Sequence, residues 1–154
     1  MESIQLMEKE YKNPAATATI IVERENKILL VRRKHAPYQG RLALPGGFLN
    51  YKTETLEHAA QRELYEETNI RVNQKDLCLL CVNSSPDRDP RDHVIDHVYV
   101  AINTIGEPEA KDDAKECVWR GPSDIPKRLA FDHNVAIKKY LKMRHYDKFI
   151  QISR

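Results

Sequence analysis

Three glutamates stand close together in the middle of the chain, Glu63, Glu66 and Glu67. On an α-helix these positions are i, i+3 and i+4, so the three carboxylates project from one face within a turn. Like charges at this spacing destabilise a helix unless something compensates them. Hard divalent cations such as Mg²⁺ prefer oxygen ligands and bind through a few carboxylates together with substrate phosphates. A glutamate-rich helix by itself is more often a solvated face, so the surrounding residues must decide.

The residues around this cluster favour a binding site. Two glycines, Gly46 and Gly47, precede the helix at loop distance, and a further carboxylate, Glu54, stands near its start. Arg62 lies next to Glu63, where a guanidinium can orient a carboxylate by a bidentate contact. Another stripe of the helix is apolar and can pack on a sheet: Leu56, Ala60 and Leu64. That packing would leave the acidic face pointing into a cleft.

The ends of this helix are marked in the sequence. Thr55 is suited to the N-cap, and Glu57 falls in the first turn, where the helix dipole favours an anion. Asn69 predicts the end of the helix, because asparagine is the usual substitute for glycine in the left-handed conformation after a helix.

The segment from Gly46 to Ile70 (GGFLNYKTETLEHAAQRELYEETNI) resembles the box of the Nudix family, G-x5-E-x7-R-E-U-x-E-E-x-G-U, where U is aliphatic. From Glu54 onward the match is close. Two departures are visible: six residues rather than five separate Gly47 from Glu54, and Asn69 replaces the usual glycine.

The resemblance implies an α/β fold, a Nudix-type α/β/α sandwich around a mixed β-sheet, with residues 1–154 as a single domain. It also implies a divalent metal cofactor, Mg²⁺ with Mn²⁺ as the alternative. The implied metal ligands are the Gly47 carbonyl, Glu63, Glu66 and Glu67. Catalytic roles are implied for Glu54, Arg62 and Glu66: Glu54 as a supporting or additional ligand, and Arg62 as the residue that positions the glutamates.

The reaction implied for the family is attack of water on one phosphorus of a nucleoside diphosphate linked to another group. The general base stays open, because members of the family take it either from the box or from a later loop. The acidic residues of the later region are Glu107, Glu109, Asp112, Asp113 and Glu116.

Substrate choice depends on residues outside the box. Three segments resemble the ADP-ribose pyrophosphatase branch: LALPGGFL (42–49), DPRDHV (89–94) and LAFDHN (129–134). They favour ADP-ribose, cut to AMP and ribose 5-phosphate. Arg91 is the candidate for binding substrate phosphate or ribose, because its planar fork suits such oxygens. Phe48 and Tyr38 are candidates for stacking on the base, as is Tyr51.

Two other functions remain open. The first is a Nudix hydrolase of nucleoside triphosphates, NADH, dinucleoside polyphosphates or a pterin triphosphate. The second is a non-catalytic sensor of ADP-ribose or another nucleotide, as in nicotinamide regulators that add a DNA-binding winged helix after a degraded box. Retention of every box carboxylate, and a chain that ends about ten residues past the last predicted helix, favour the enzyme.

The remaining elements follow from apolar patterning. β-branched and apolar runs predict strands at residues 15–23, 27–33, 42–44, 77–83, 94–103 and 116–120. A helical pattern covers residues 131–144, where Asp132 is suited to the N-cap. A catalytic role for His133 is the less favoured interpretation. The stretch 84–93 is predicted to be a polar loop.

Composition limits the remaining function classes. A chain of 154 residues is the size of one domain, and its net charge of +2, without a basic block, does not favour a nucleic-acid partner. The N-terminus lacks the apolar core of a signal peptide, and no apolar run reaches the roughly 20 residues that span a bilayer. We therefore expect a cytoplasmic protein whose partner is a small nucleotide; relatives are often dimers, so a homodimer stays open.

Cys78 and Cys81 fall in what reads as a buried strand, where residues three apart face opposite sides.

Overall fold

The computed structural model describes residues 11–152, except for the side chains of residue 146 and residues 148–152. The prediction about a signal peptide rests largely on residues 1–10, which lie outside this range. The strands are β1 Ala15–Arg24, β2 Lys27–Arg33, β3 Leu42–Ala43, β4 Gly46–Phe48, β5 Leu77–Asn83, β6 Val94–Ala101 and β7 Ala114–Arg120. The helices are α1 Leu56–Thr68 and α2 His133–Ile152. Neither of these helices is long and apolar enough to cross a membrane.

Strand β1 is the centre of a mixed sheet. It runs parallel to β6 from Ala15 to Val22 and antiparallel to β4, and it forms a hairpin with β2 at its far end. Strand β5 adds to the outer side of β6, while β2 also pairs with β3 and β7. The pairing of β1 with β4 brings the two box glycines against the central strand of the sheet.

The two helices cover opposite faces of this sheet. Helix α1 contributes Ala59, Ala60 and Leu64 to one apolar cluster, which also contains Ile20 of β1. Helix α2 contributes Ala136, Ile137 and Tyr140 to the cluster on the other face. Since β1 alternates its side chains between the two faces, its residues reach both clusters. The predicted α/β/α sandwich around a mixed sheet is confirmed.

Helix α1 begins and ends where the sequence predicts. The Thr55 hydroxyl accepts a hydrogen bond from the His58 amide at 3.2 Å. Asn69 follows the helix in the left-handed conformation, with φ 65°, and its amide donates to the Tyr65 carbonyl. The predicted apolar stripe is also confirmed, because Ala60 and Leu64 are fully buried and Leu56 packs against them.

Helix α2 differs from its prediction at both ends. It begins at His133 rather than at residue 131, because Phe131 has φ 52° and this left-handed conformation interrupts a helix. It continues to Ile152, beyond the predicted end. Asp132 lies directly before the helix, at the predicted N-cap position, and both of its carboxylate oxygens accept hydrogen bonds from Arg88.

The prediction that β5 is a buried strand is also wrong. It is the edge strand of the sheet, and Cys78 and Leu79 are exposed. A bulge between Leu79 and Cys81 shifts the register, so that Cys78 pairs with Val100 and Cys81 with Val98. Because Val98 and Val100 are two residues apart on β6, the bulge brings both cysteines to one face of the sheet.

Candidate active site

A pocket of about 330 Å³ opens between α1, strands β1 and β2, and the N-terminal end of α2. One end of it is acidic and is formed by α1 together with the β4 turn. The other end is basic and aromatic. The lining residues that matter for chemistry are Arg33, Gly47, Phe48, Glu63, Glu67, Arg91, Phe131 and His133.

Arg62 organises the acidic end. Its Nε and Nη2 donate to the two carboxylate oxygens of Glu54 at 3.0 and 2.6 Å. Its Nη1 donates to Glu63 at 2.6 Å and to Glu66 at 3.2 Å, and its Nη2 also donates to the Phe48 carbonyl at 2.9 Å. One guanidinium therefore connects the helix to the glycine-rich turn and offsets the repulsion between three carboxylates.

The carboxylates around Arg62 differ in electrostatic environment. The hydrogen bonds from Arg62 lower the pKa of Glu54. Burial raises the pKa of Glu63, and nearby Glu66 adds to the shift. Glu67 is only 9% exposed, and burial followed by the charge of Glu63 raises its pKa to about 8. Glu63 and Glu67 are thus a close acidic pair that a cation would stabilise.

The two glycines allow this pair to approach the β4 turn. A Cβ atom at Gly47 would collide with the carboxylate of Glu63, and one at Gly46 would collide with the β1 backbone at Ala18. The Gly46 amide donates to Glu67 at 3.2 Å. The turn therefore packs directly against the acidic pair; a side chain at Gly47 would displace the Glu63 carboxylate, and one at Gly46 would displace the β1 backbone.

The basic end is built around Phe131. The guanidinium of Arg91 lies 4.8 Å from the centre of the Phe48 ring and 5.4 Å from that of Phe131. Asp89 fixes Arg91 in this slot by accepting from its Nε at 3.0 Å and its Nη2 at 2.7 Å. Two of the predicted substrate residues, Phe48 and Arg91, thus lie together. Tyr38 packs edge-on against Phe131 at 5.0 Å and does not line the pocket.

Arg33 is a pocket residue that the sequence analysis did not identify. Its Nε donates to the Pro37 carbonyl at 2.7 Å, whereas its two terminal nitrogens have no hydrogen-bond partner within residues 11–152. Burial and the neighbouring Arg91 lower its pKa. The sequence does not indicate that Arg33 lines a pocket, because the direction of its side chain depends on how β2 pairs with β7.

A buried polar network supports the basic end from behind. Arg88 is 4% exposed and pairs with Asp132 at 2.7 Å and with Asp96 at 3.5 Å. Asp96 also accepts from the hydroxyls of Thr17 and Thr19 at 2.8 and 2.7 Å. The stretch predicted as a polar loop is therefore partly internal. Asp89 is buried as well.

Comparison with known proteins identifies the family. The family model of the NUDIX domain matches residues 12–140. The chain belongs to the Nudix family. It is 47% identical over 135 residues to an ADP-ribose pyrophosphatase of Methanocaldococcus jannaschii, covering 88% of this chain and 78% of that protein. The predicted family and its ADP-ribose pyrophosphatase-like branch are therefore confirmed.

Two solved structures share the fold. One is a bifunctional NMN adenylyltransferase/ADP ribose pyrophosphatase from Francisella tularensis, complexed with AMP and a Mn ion, with a TM-score of 0.75 and 35% identity over 86% of this chain. This chain spans 42% of that protein. The other is the NUDIX domain of Shewanella oneidensis NrtR, complexed with ADP ribose, with a TM-score of 0.76 and 25% identity, covering 86% of this chain and 90% of that one.

The longer loop of this Nudix box keeps Glu54 in place. The Asn50 amide donates to Glu54 at 2.7 Å, and Thr53 closes a turn by donating to the Asn50 carbonyl. Lys52 within this turn has φ 61°. The additional residue is therefore taken up in a left-handed turn, and the contact between Glu54 and Arg62 does not depend on the usual spacing.

The predicted metal ligands of the Nudix box do not all converge. Gly47, Glu63 and Glu67 line the pocket, whereas Glu66 does not. The Glu66 side chain is 41% exposed and is held by Arg62. Accordingly, no three carboxylate, histidine or cysteine side chains in residues 11–152 form a metal-ligand set. In this structure the Glu66 carboxylate contacts Arg62 at 3.2 Å instead of lining the pocket with Glu63 and Glu67.

Among the later acidic residues considered for the general base, Asp113 lines the pocket. Its side chain is 78% exposed and lies 3.6 Å from the Nε2 atom of His35. The other four are absent from the pocket lining: Glu107, Glu109, Asp112 and Glu116.

Proposed function

We propose that this chain hydrolyses ADP-ribose to AMP and ribose 5-phosphate in a reaction that requires a divalent cation, Mg²⁺ in the first place. Its relative from Methanocaldococcus jannaschii supports the substrate, as do the ADP ribose and AMP in the two solved structures. The observation that carries the proposal is geometric. One pocket contains an acidic pair at one end and an arginine between two aromatic rings at the other.

The acidic end suits a divalent cation. Glu63 and Glu67 provide carboxylate oxygens. The Gly47 carbonyl belongs to the turn that packs against Glu63, where a Cβ atom at Gly47 would collide with the Glu63 carboxylate. We propose these groups, with Glu66 after rotation, as ligands of Mg²⁺ or Mn²⁺. A bound cation would offset phosphate charge and make water a better nucleophile. Because Glu63 and Glu67 are buried and repel each other, a cation that binds between them in place of a proton would stabilise their charged forms.

The other residues orient the reactants. Arg62 keeps Glu54 and Glu63 in fixed positions, so this part of the proposed cation site is in place before substrate arrives. We propose that Arg33, with two unpaired terminal nitrogens, binds the pyrophosphate. Phe48, which is 40% exposed, would stack on the adenine, and Arg91 would hold the Phe48 ring from its other side. The oxygen of water forms a bond to one phosphorus as the bond between that phosphorus and the bridging oxygen breaks.

A substrate panel tests this function. Purified protein with Mg²⁺ is assayed against ADP-ribose, NADH, nucleoside triphosphates and dinucleoside polyphosphates, and products are separated by chromatography. We expect the highest kcat/KM for ADP-ribose, with AMP and ribose 5-phosphate in equal amounts. Release of pyrophosphate from a nucleoside triphosphate as the preferred reaction would contradict the proposal. Tight binding of ADP-ribose without hydrolysis would favour a sensor. A homodimer and a cytoplasmic location stay predictions.

A further inference from the structure

His133 begins helix α2 and forms part of the pocket wall. It is 5% exposed, and its Nδ1 accepts a hydrogen bond from the Leu44 amide at 3.0 Å. Because a backbone amide can only donate, Nδ1 carries no proton, and the proton of a neutral ring lies on Nε2. Burial lowers the pKa of His133 to about 4, so the ring is neutral at physiological pH.

The Nε2–H group of His133 has no hydrogen-bond partner within residues 11–152. Fully enclosed side-chain nitrogens or oxygens without a partner are confined to Asn83 Nδ2 in this part of the chain. The Nε2 atom of His133 is therefore not fully enclosed by the protein, and His133 lines the pocket.

The acidic groups nearest to His133 already have other donors. Asp96 accepts from two threonine hydroxyls and from Arg88, and Asp132 accepts twice from Arg88. The ring is held in place by Leu44 on one side and by the Phe131 ring, 5.4 Å away, on another. His133 thus lines the pocket with a fixed, neutral ring whose Nε2–H donor has no acceptor among the described residues.

We propose that His133 binds the substrate, by donating a hydrogen bond from Nε2 to an oxygen of ADP-ribose. This inference rests on the proposed function. A neutral donor adds a directional contact beside Arg33, Arg88 and Arg91 without adding a further positive charge. The acceptor is an oxygen of either the AMP half or the ribose 5-phosphate half of the substrate, and the two products separate these sources.

A matched pair of variants tests the role of His133. Asparagine places an acceptor near the position of Nδ1, so His133→Asn keeps the bond from Leu44 and loses the donor. Glutamine places a donor near the position of Nε2, so His133→Gln keeps the donor and loses the bond from Leu44. One neutral hydrogen bond corresponds to roughly a three- to tenfold change. We expect His133→Asn to raise KM by that factor with kcat less affected, and His133→Gln to lower the melting temperature with a smaller change in KM.

Nitrogen NMR of the unaltered protein gives a second test, which does not depend on a variant that folds. Histidine-labelled protein is titrated, without metal, with ADP-ribose, AMP and ribose 5-phosphate, and the His133 signal is assigned by its loss in His133→Asn. We expect the Nε2–H resonance to shift with ADP-ribose and with one of the two products. The Nδ1 resonance should stay that of an acceptor.

The outcomes separate this inference from the proposed function. If the unaltered protein neither binds nor hydrolyses ADP-ribose, both are wrong. If it binds and hydrolyses ADP-ribose, but the Nε2 resonance does not move and His133→Asn keeps its KM within twofold, His133 only anchors the turn at Leu44. The inference alone is then overturned.

Discussion

The two ends of the pocket are constructed in different ways. The acidic end comes from one continuous segment, in which Arg62 reaches Glu54, Glu63 and Glu66 over at most eight residues of sequence. The basic end joins distant segments: Arg88 and Asp132 are 44 residues apart, and His133 is 89 residues from Leu44. Helix periodicity places the first group, whereas sheet pairing places the second.

This difference has an electrostatic counterpart. At the acidic end, Glu63 and Glu67 are close like charges, and their pKa values are raised. At the basic end, Arg88 and Arg91 have carboxylate partners, and Arg33 retains two free terminal nitrogens. A cation would therefore stabilise the acidic end, whereas at the basic end carboxylates already neutralise Arg88 and Arg91 but not Arg33. Substitutions at the two ends should therefore separate chemistry from binding and from folding.

The largest effect is expected at Glu67. Glu67→Gln removes a charge from the proposed cation site, and we expect kcat to fall by about a thousandfold or more. The KM for ADP-ribose should change much less, because the basic end is intact. Steady-state kinetics with Mg²⁺ measure both. Glu57→Gln, on the same helix but outside the pocket lining, is the control. Near-normal turnover in Glu67→Gln would contradict the proposed ligand set.

The buried network predicts a stability effect at the other end. Arg88→Ala leaves the buried Asp96 and the partly exposed Asp132 without their cation, which should lower the free energy of unfolding by about 3–5 kcal/mol. Urea unfolding followed by circular dichroism measures this, with Arg120→Ala as a control outside the network. A loss below about 1 kcal/mol would mean that the neighbouring threonines satisfy Asp96 without Arg88.

The two ends should also respond oppositely to pH in metal-free protein. Folding raises the pKa of Glu67 from 4.5 to about 8, so the folded state binds the additional proton and stability falls as pH rises through this window. Folding lowers the pKa of His133 from 6.5 to about 4, so stability falls as pH drops through that window.

Glu67 and His133 should each change the free energy of unfolding by on the order of 1–3 kcal/mol across their pH windows. Melting temperatures measured in chelator from pH 4 to 8.5 test the assignment through two variants. Glu67→Gln should flatten the loss toward high pH, and His133→Asn should flatten the loss toward low pH. If either variant keeps the slope of the unaltered protein, the group assigned to that slope is wrong.

Smaller effects separate the two arginines that face the pocket. Arg33→Ala removes two unpaired donors, and a charged hydrogen bond of about 1.5–3 kcal/mol corresponds to a KM raised roughly ten- to hundredfold. Arg91→Ala should raise KM less, because Asp89 already accepts from its Nε and Nη2. Arg33→Lys should restore part of the affinity, since lysine keeps the charge without the planar fork. A larger effect at Arg91 than at Arg33 would reverse the assignment of the phosphate contact.

The smallest effect is expected at the end of α1, where structure can be changed without touching the chemistry. Asn69 has φ 65°. Asn69→Gly should change the free energy of unfolding by less than about 1 kcal/mol, because glycine accepts this conformation freely. Asn69→Ala should cost about 1–2 kcal/mol. Thermal unfolding measures both, and kcat should be unaltered in each. A fall in kcat would mean that the helix end also positions the acidic pair.

Local patterns in the sequence determined the acidic end and the main elements. The helix spacing of Glu63, Glu66 and Glu67, the cap at Thr55 and the end at Asn69 all depend on residues a few positions apart. Such interactions are set by the geometry of a single helix. The boundaries of α1 were predictable for this reason, whereas the family and its sandwich fold were implied by the resemblance of this segment to the Nudix box.

Only the tertiary structure decided the basic end. Arg88 and Asp89 lie in a segment that is polar in sequence, yet they are buried because Asp96 and Asp132 come from β6 and from the segment before α2. Cys78 shows the reverse case: it lies in a segment that is apolar in sequence, yet it is exposed, because β5 is an edge strand with a neighbouring strand on one side only. Partners separated by tens of residues are chosen by strand order and packing, and no local pattern encodes them.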